Sequence, residues 1–209
     1  MQNMFKNIFR RDVAMPYPKG HTEKTREAVL ASAYKMFISK GYDATSIDAI
    51  MADCALTRGA FYAHFESKSQ LYTATIQHAA SQSGLARGKP ADVSHSAWIR
   101  QLLATYLDKD SSAKPDWPCP LAFFATDIAH REPAVRSAYT QAFASMSGRV
   151  LESVRQFSRC DENTSLSVTA MLIGAVAVAR TMDDSALRER LLIACEQAAL
   201  AQLAQPPSS

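Results

Sequence analysis

An all-α fold is what this sequence predicts. Apolar residues recur at helical spacing along nearly the whole chain, and strict two-residue alternation occurs almost nowhere. Ala, Leu, Gln, Glu and Arg dominate, and only seven glycines interrupt 209 residues. A chain with 47% hydrophobic and 21% charged residues can build a core, so wholesale disorder is excluded. At this length folding buries roughly 70% of the surface of the unfolded chain, enough for one large helical domain or two small ones.

Residues 1–20 read as a basic, irregular arm containing Pro16 and Pro18, with either Met1 or Met15 as the start. The first helix is expected over about 22–40, where Val29, Leu30, Ala33, Met36 and Phe37 share one face and Gly41 follows as the stop. Thr45 then resembles an N-cap, with Asp48 three residues on and Ile47 and Ile50 facing inward over a short helix ending near Asp53. Thr57 opens a second short helix through about His64, and Ser67 caps a longer one through Leu71 and Ile76. Residues 84–90 (GLARGKP) mark a joint. Beyond it, amphipathic helices are expected near 92–107, 119–131, 134–158, 164–181 and 184–204. This divides the chain into an arm (1–20), a small helical head (21–66) and a larger helical body (67–209).

Residues 45–65 (TSIDAIMADCALTRGAFYAHF) have helix-turn-helix spacing: two short capped helices joined by a three- to four-residue turn. Ala52 offers a small side chain for a close helix crossing, Leu56 anchors the turn, and Phe61 and Phe65 give the second helix an inward face. Its other face and N-terminus carry Thr57, Arg58, Gly59, Ala60, Tyr62 and His64. Gly59 and Ala60 keep that helix slim enough to approach a groove floor. Arg58 can take guanine O6 and N7 together, the Ala60 methyl can touch a thymine methyl, and Tyr62, His64 and Lys68 can reach phosphates. The helix N-termini at Thr45–Ser46 and Ser67–Lys68 offer backbone N–H groups to phosphate as well. Lys6, Arg10, Arg11 and Lys19 of the arm can reach neighbouring phosphates or the minor groove. The alternatives are a plain αα-hairpin for the segment, capping or packing for His64, and a merely solvated arm.

With TREAVLASAYKMFISKGYDATSIDAI leading into TRGAFYAHFESKSQLY, residues 22–75 resemble the N-terminal DNA-binding domain of the TetR family of transcriptional regulators. The resemblance implies a homodimer whose two recognition helices enter the major groove of a palindromic operator in double-stranded DNA. It also implies a C-terminal body that binds a small-molecule effector, releases the DNA on binding it, and dimerises through its last two long helices, here near 164–204. Two positions depart from the family pattern: Ala55 stands where the turn usually has glycine, and Ala60 where Thr or Gly is usual. A positive φ at Ala55 would cost about 1 kcal/mol or more.

In the body, Trp98, Tyr106, Phe123, Phe124, Tyr139, Phe143 and Met146 gather across three expected helices, either as core or as an apolar effector pocket; Trp98, Phe123, Phe124, Tyr139 and Phe143 are its candidate lining. Cys119, between Pro118 and Pro120 at a helix start, is the candidate for an alternative regulator that senses oxidants or electrophiles through a thiol. The other reading of Cys119 is a small buried hydrophobe. The four cysteines are scattered with no CxxC, and no signal-like apolar start is present, so a reducing cytoplasm is the expected location. The longest apolar stretch, 168–179, is too short to span a bilayer and reads as a buried helix. The five histidines have no ligand spacing, so neither a metal nor another cofactor is expected. Without a Gly-rich phosphate loop, GxSxG, a paired-carboxylate motif or HExxH, no enzyme is expected either. The net charge of +3 lies wholly in the first 78 residues, where ten Lys and Arg face seven Asp and Glu.

Overall fold

The computed structural model describes residues 19–82, 88–107, 120–155, 158 and 160–204. Every regular element among them is a helix: α1 (Lys19–Ala44), α2 (Ile47–Asp53), α3 (Arg58–Tyr62), α4 (Lys68–Ser81), α5 (His95–Tyr106), α6 (Pro120–Ile128), α7 (Pro133–Val154), α8 (Glu162–Ala179) and α9 (Ser185–Leu203). The expected all-α class is what the chain adopts, with a helical head at its N-terminus.

Local chemistry explains most of the boundaries. Gly41 sits at φ 78° and ψ 172°, a kink near the end of α1. A Cβ there would meet nothing within 4 Å, so the backbone angle and not space calls for glycine. Thr57, Ser67, Ser94, Asp161 and Asp184 each accept a backbone N–H from the first turn of the helix they precede. Pro133, between the helices expected near 119–131 and 134–158, opens α7 at its first turn, where its missing N–H costs nothing. One cap is displaced from the expectation: Ser46, not Thr45, caps α2 by accepting from the Ala49 N–H at 3.1 Å. Thr45 is 1% exposed, and its hydroxyl donates to the Gly41 carbonyl at 2.7 Å and lies 3.3 Å from that of Met36, closing the end of α1.

The turn between α2 and α3 closes in a Schellman pattern: the Ala55 N–H donates to the Ala52 carbonyl at 3.0 Å and the Leu56 N–H to the Met51 carbonyl at 2.8 Å. This pattern places Ala55 in the left-handed region at φ 53°, the strain that the missing glycine implied. Ala55→Gly is therefore expected to raise stability by about 1 kcal/mol, measured by urea unfolding. An unchanged midpoint would mean the turn pays no such penalty. Ala52, expected at a close crossing, is exposed.

Two apolar clusters hold the molecule together. The first joins Val29, Leu30, Ala33 and Phe37 of α1 to Ile50, Met51, Phe61 and Phe65. It continues without a break through Leu71, Tyr72 and Ile76 of α4 into Leu121, Phe124 and Ile128 of α6, so α4 and α6 belong to one core with the head. The second, farther along the body, gathers Trp98, Ile99 and Leu103 of α5, Val150 and Val154 of α7, Val168 and Leu172 of α8, and Ala199 and Leu203 of α9. The aromatic set expected to form one cluster is thereby split. Trp98 and Tyr106 belong to the second cluster, Phe123, Phe124, Tyr139 and Phe143 to the first, and Met146 touches both. The cause is the reach of α7, 22 residues and about 33 Å long, whose two ends meet different partners. By length and a mean hydropathy of 1.3, α8 meets the requirement for a membrane-spanning helix, but here it packs between α7 and α9.

Candidate nucleic-acid interface

The outward surface of α2 and α3 is built on buried aromatics. Phe61 and Phe65 are 0% and 2% exposed with ring centroids 5.8 Å apart, which fixes the rotation of α3 on the head. The opposite face therefore turns to solvent. Thr57, Arg58, Gly59 and Tyr62 are all exposed there, Tyr62 by 53%. A Cβ at Gly59 would meet only the Thr57 hydroxyl, at an ordinary 3.7 Å. Nothing among the described residues calls for glycine at that position.

Arg58 does not wave freely. Its Nη1 donates to Asp48 Oδ2 at 3.1 Å, linking α3 to α2, and Tyr62 and Asp48 both favour the charged guanidinium. Ser46 is exposed beside this pair at the start of α2. Arg58, Gly59, Tyr62, Thr57 and Ser46 are thus brought together on one surface. Four other candidates are placed differently. Thr45 is buried, Ala60 packs partly into the first core, and His64 is half-buried with its ring 6.3 Å from Phe65, in keeping with its packing alternative. Lys68 is half-buried and its Nζ lies 4.2 Å above the Tyr42 ring, so this ammonium is occupied at the junction with the body; burial also lowers its pKa.

That junction is a polar network that sequence reading missed. Arg131, just past α6, donates from Nη1 and Nη2 to both oxygens of Asp43 at 2.9 and 2.8 Å, and from Nη2 to Asp127 at 2.5 Å. Its guanidinium carbon lies 4.2 Å from the centroid of the Tyr42 ring. Asp127 also accepts from the Tyr72 hydroxyl at 2.7 Å, and Ser69 donates to Glu132 at 3.0 Å. Hydrogen bonds from Arg131 hold the Asp43 carboxyl below its ordinary range, while burial and the bond to Asp127 raise the Tyr72 phenol. The Asp127–Arg131 spacing of four residues was the one local signal available.

Of the effector candidates, Phe124 is 2% exposed and Trp98 is 8% exposed, both as core. Phe123, Tyr139 and Phe143 are half-buried against the first cluster, with the Tyr139 hydroxyl donating to the Leu121 carbonyl at 3.0 Å. Cys119 lies outside the described residues. Cys54 and Cys160 have thiols raised chiefly by burial, the state of an unreactive, protonated sulfur. Among the described residues no group of three or more His, Cys, Asp or Glu could hold a metal ion.

Comparison with known proteins places the head. Residues 29–75 match the family model described as bacterial regulatory proteins, tetR family. The transposon Tn10 TetC protein of Escherichia coli is 44% identical over 52 residues, covering 25% of this chain and 26% of that protein. The HTH-type transcriptional repressor BepR of Brucella suis biovar 1 is 34% identical over 61 residues, 29% of each chain. These sequence matches thus span between a quarter and a third of the relatives' own length. Structural likeness extends farther. A TetR transcriptional regulator from Chloroflexus aurantiacus J-10-FL superposes with a TM-score of 0.69 at 25% identity, covering 85% of this chain and 95% of that one. Reduced NemR of E. coli gives 0.70 at 17% identity, covering 88% and 100%, a likeness of fold. The α2–α3 surface is a helix-turn-helix in sequence as well as in shape: residues 29–75 belong to the tetR family of bacterial regulatory proteins, and the chain has the fold of a TetR transcriptional regulator.

Proposed function

We propose that the protein is an effector-released repressor that binds a palindromic operator as a homodimer. The observation carrying this reading is the surface of α3: an exposed Arg58 and Tyr62 flank a glycine that the protein's own packing does not require. Such a face suits close approach to base edges in a major groove. Dimerisation through α8 and α9 is supported by their exposed apolar side chains, Leu166, Val178, Leu187 and Ile193. α9 also exposes Ala186, Ala194 and Ala201.

Effector control is supported by connectivity. Phe123, Tyr139 and Phe143 are half-buried aromatics on the two helices that flank Arg131. Phe123 and Asp127 lie one turn apart on α6, and Asp127 leads through Arg131 to Asp43 at the foot of α1. A ligand seated against Phe123 and preferring a shifted α6 would act on the segment that leads into α2. It would release DNA by the difference in its affinity for the two states, about 1–3 kcal/mol. A buried Thr169 hydroxyl with no hydrogen-bond partner among the described residues offers a polar contact on α8.

The test begins with DNA selected from a random pool by the purified protein. A palindromic site with half-sites about one helical turn apart is expected. Arg58→Ala should weaken binding to that duplex roughly 5- to 150-fold, the worth of a bidentate base contact. Gly59→Ala should weaken it while leaving thermal stability equal or higher. Binding to selected and scrambled duplexes with equal affinity would refute the repressor reading.

A further inference from the structure

Arg58 is the one basic residue of α3, and it is held by a carboxylate from the neighbouring helix. An acidic side chain on a surface that meets a polyanion is costly there unless it does something for recognition. The pair contributes little to folding, because both side chains are exposed, by 60% for Arg58 and 64% for Asp48. Its geometry has another consequence. A free arginine side chain has considerable rotamer entropy and pairs readily with any phosphate. Arg58 has one N–H engaged by Asp48, leaving four of the five guanidinium donors for a base edge.

Resting on the DNA-binding reading above, we propose that Asp48 is a positioning and specificity-determining residue: it aims the Arg58 fork at a guanine and repels phosphates in unmatched DNA. Positioning and repulsion are separable. The amide oxygen of Asp48→Asn still accepts from Arg58 but carries no charge, whereas Asp48→Ala removes both. Asp48 lies on the exposed side of α2, away from the buried Ile50 and Met51, so these variants keep the core intact.

The experiment measures equilibrium binding of the full chain to the duplex it selects, to the same duplex with the Arg58-contacted guanine replaced, and to a scrambled duplex, at several salt concentrations. Asp48→Asn is expected to bind scrambled DNA at least threefold more tightly while keeping most of its preference for the guanine. Asp48→Ala is expected to bind scrambled DNA as tightly as Asp48→Asn and to lose about tenfold in preference for the guanine. Melting temperatures should stay at the wild-type value in both. If the Asp48 variants change all three affinities by one common factor, or by none, the proposal is overturned. When that happens while wild type discriminates and Arg58→Ala does not, the DNA-binding reading survives and only the role of Asp48 falls. If wild type itself fails to discriminate, both fall together.

Discussion

Phe124→Ala should destabilise the protein by about 3–5 kcal/mol, the usual loss for emptying a phenylalanine site in a packed core. For a chain of this size that is a fall in melting temperature of roughly 10 °C. The ring is 2% exposed and meets Tyr34 of α1 edge-on at 6.3 Å and Tyr72 of α4 at 5.1 Å. It is therefore the point where a body helix enters the core of the head. Thermal unfolding followed by far-ultraviolet circular dichroism checks the magnitude. The sequence also offered Phe124 as an effector-pocket residue, and the two roles predict different results. A pocket wall can be trimmed with little loss of stability, so a melting temperature within about 2 °C of wild type would return Phe124 to the pocket.

The places where sequence reading succeeded share a physical property: their cause is local. The caps at Thr57 and Ser67 depend on a hydroxyl reaching an N–H three residues away. The inward face of Phe61 and Phe65 depends on helical period alone, and the left-handed Ala55 on a short turn between two helices. Where two adjacent residues could fill one role, period could not choose between them. Thr45 and Ser46 both suit a cap, and only the position of the α1 terminus turns Thr45 inward. Long-range partners were invisible. Arg131 and Asp43 are 88 residues apart, Tyr72 and Asp127 are 55 apart, and nothing in local composition pairs them. Lys68 was misplaced for the same reason: its side chain is drawn to Tyr42 by a junction whose other half lies beyond α6. The aromatic residues of the body were found correctly as apolar, but their division into two clusters depends on how α7 crosses its neighbours.

Arg131→Ala should both destabilise the fold and loosen the head. The side chain is 15% exposed and makes charge-assisted hydrogen bonds to two carboxylates, but Asp43 is 80% exposed, so that half of the network is discounted for solvent screening. A loss of about 2 kcal/mol is expected, carried mainly by the bond to the half-buried Asp127. Arg131→Lys should recover only part of it, since an ammonium cannot engage both Asp43 oxygens in the same fork. The pH dependence identifies the source. Asp43 has a folded pKa below its ordinary value because of Arg131, so its contribution is full above about pH 4 and is lost as pH falls through the folded value. Removing Arg131 removes this linkage, and the variant should lose less stability than wild type between about pH 5 and pH 3. An equally steep acid limb in both proteins would exclude Asp43 as its source. The effect on DNA is expected to be selective as well. In the proposed dimer, two heads would hold a fixed separation to enter successive major grooves, whereas a single half-site makes no such demand. Arg131→Ala should therefore weaken binding to the full palindrome more than to an isolated half-site. Equal weakening of both would make the network a support of the fold alone, with no part in spacing the recognition helices.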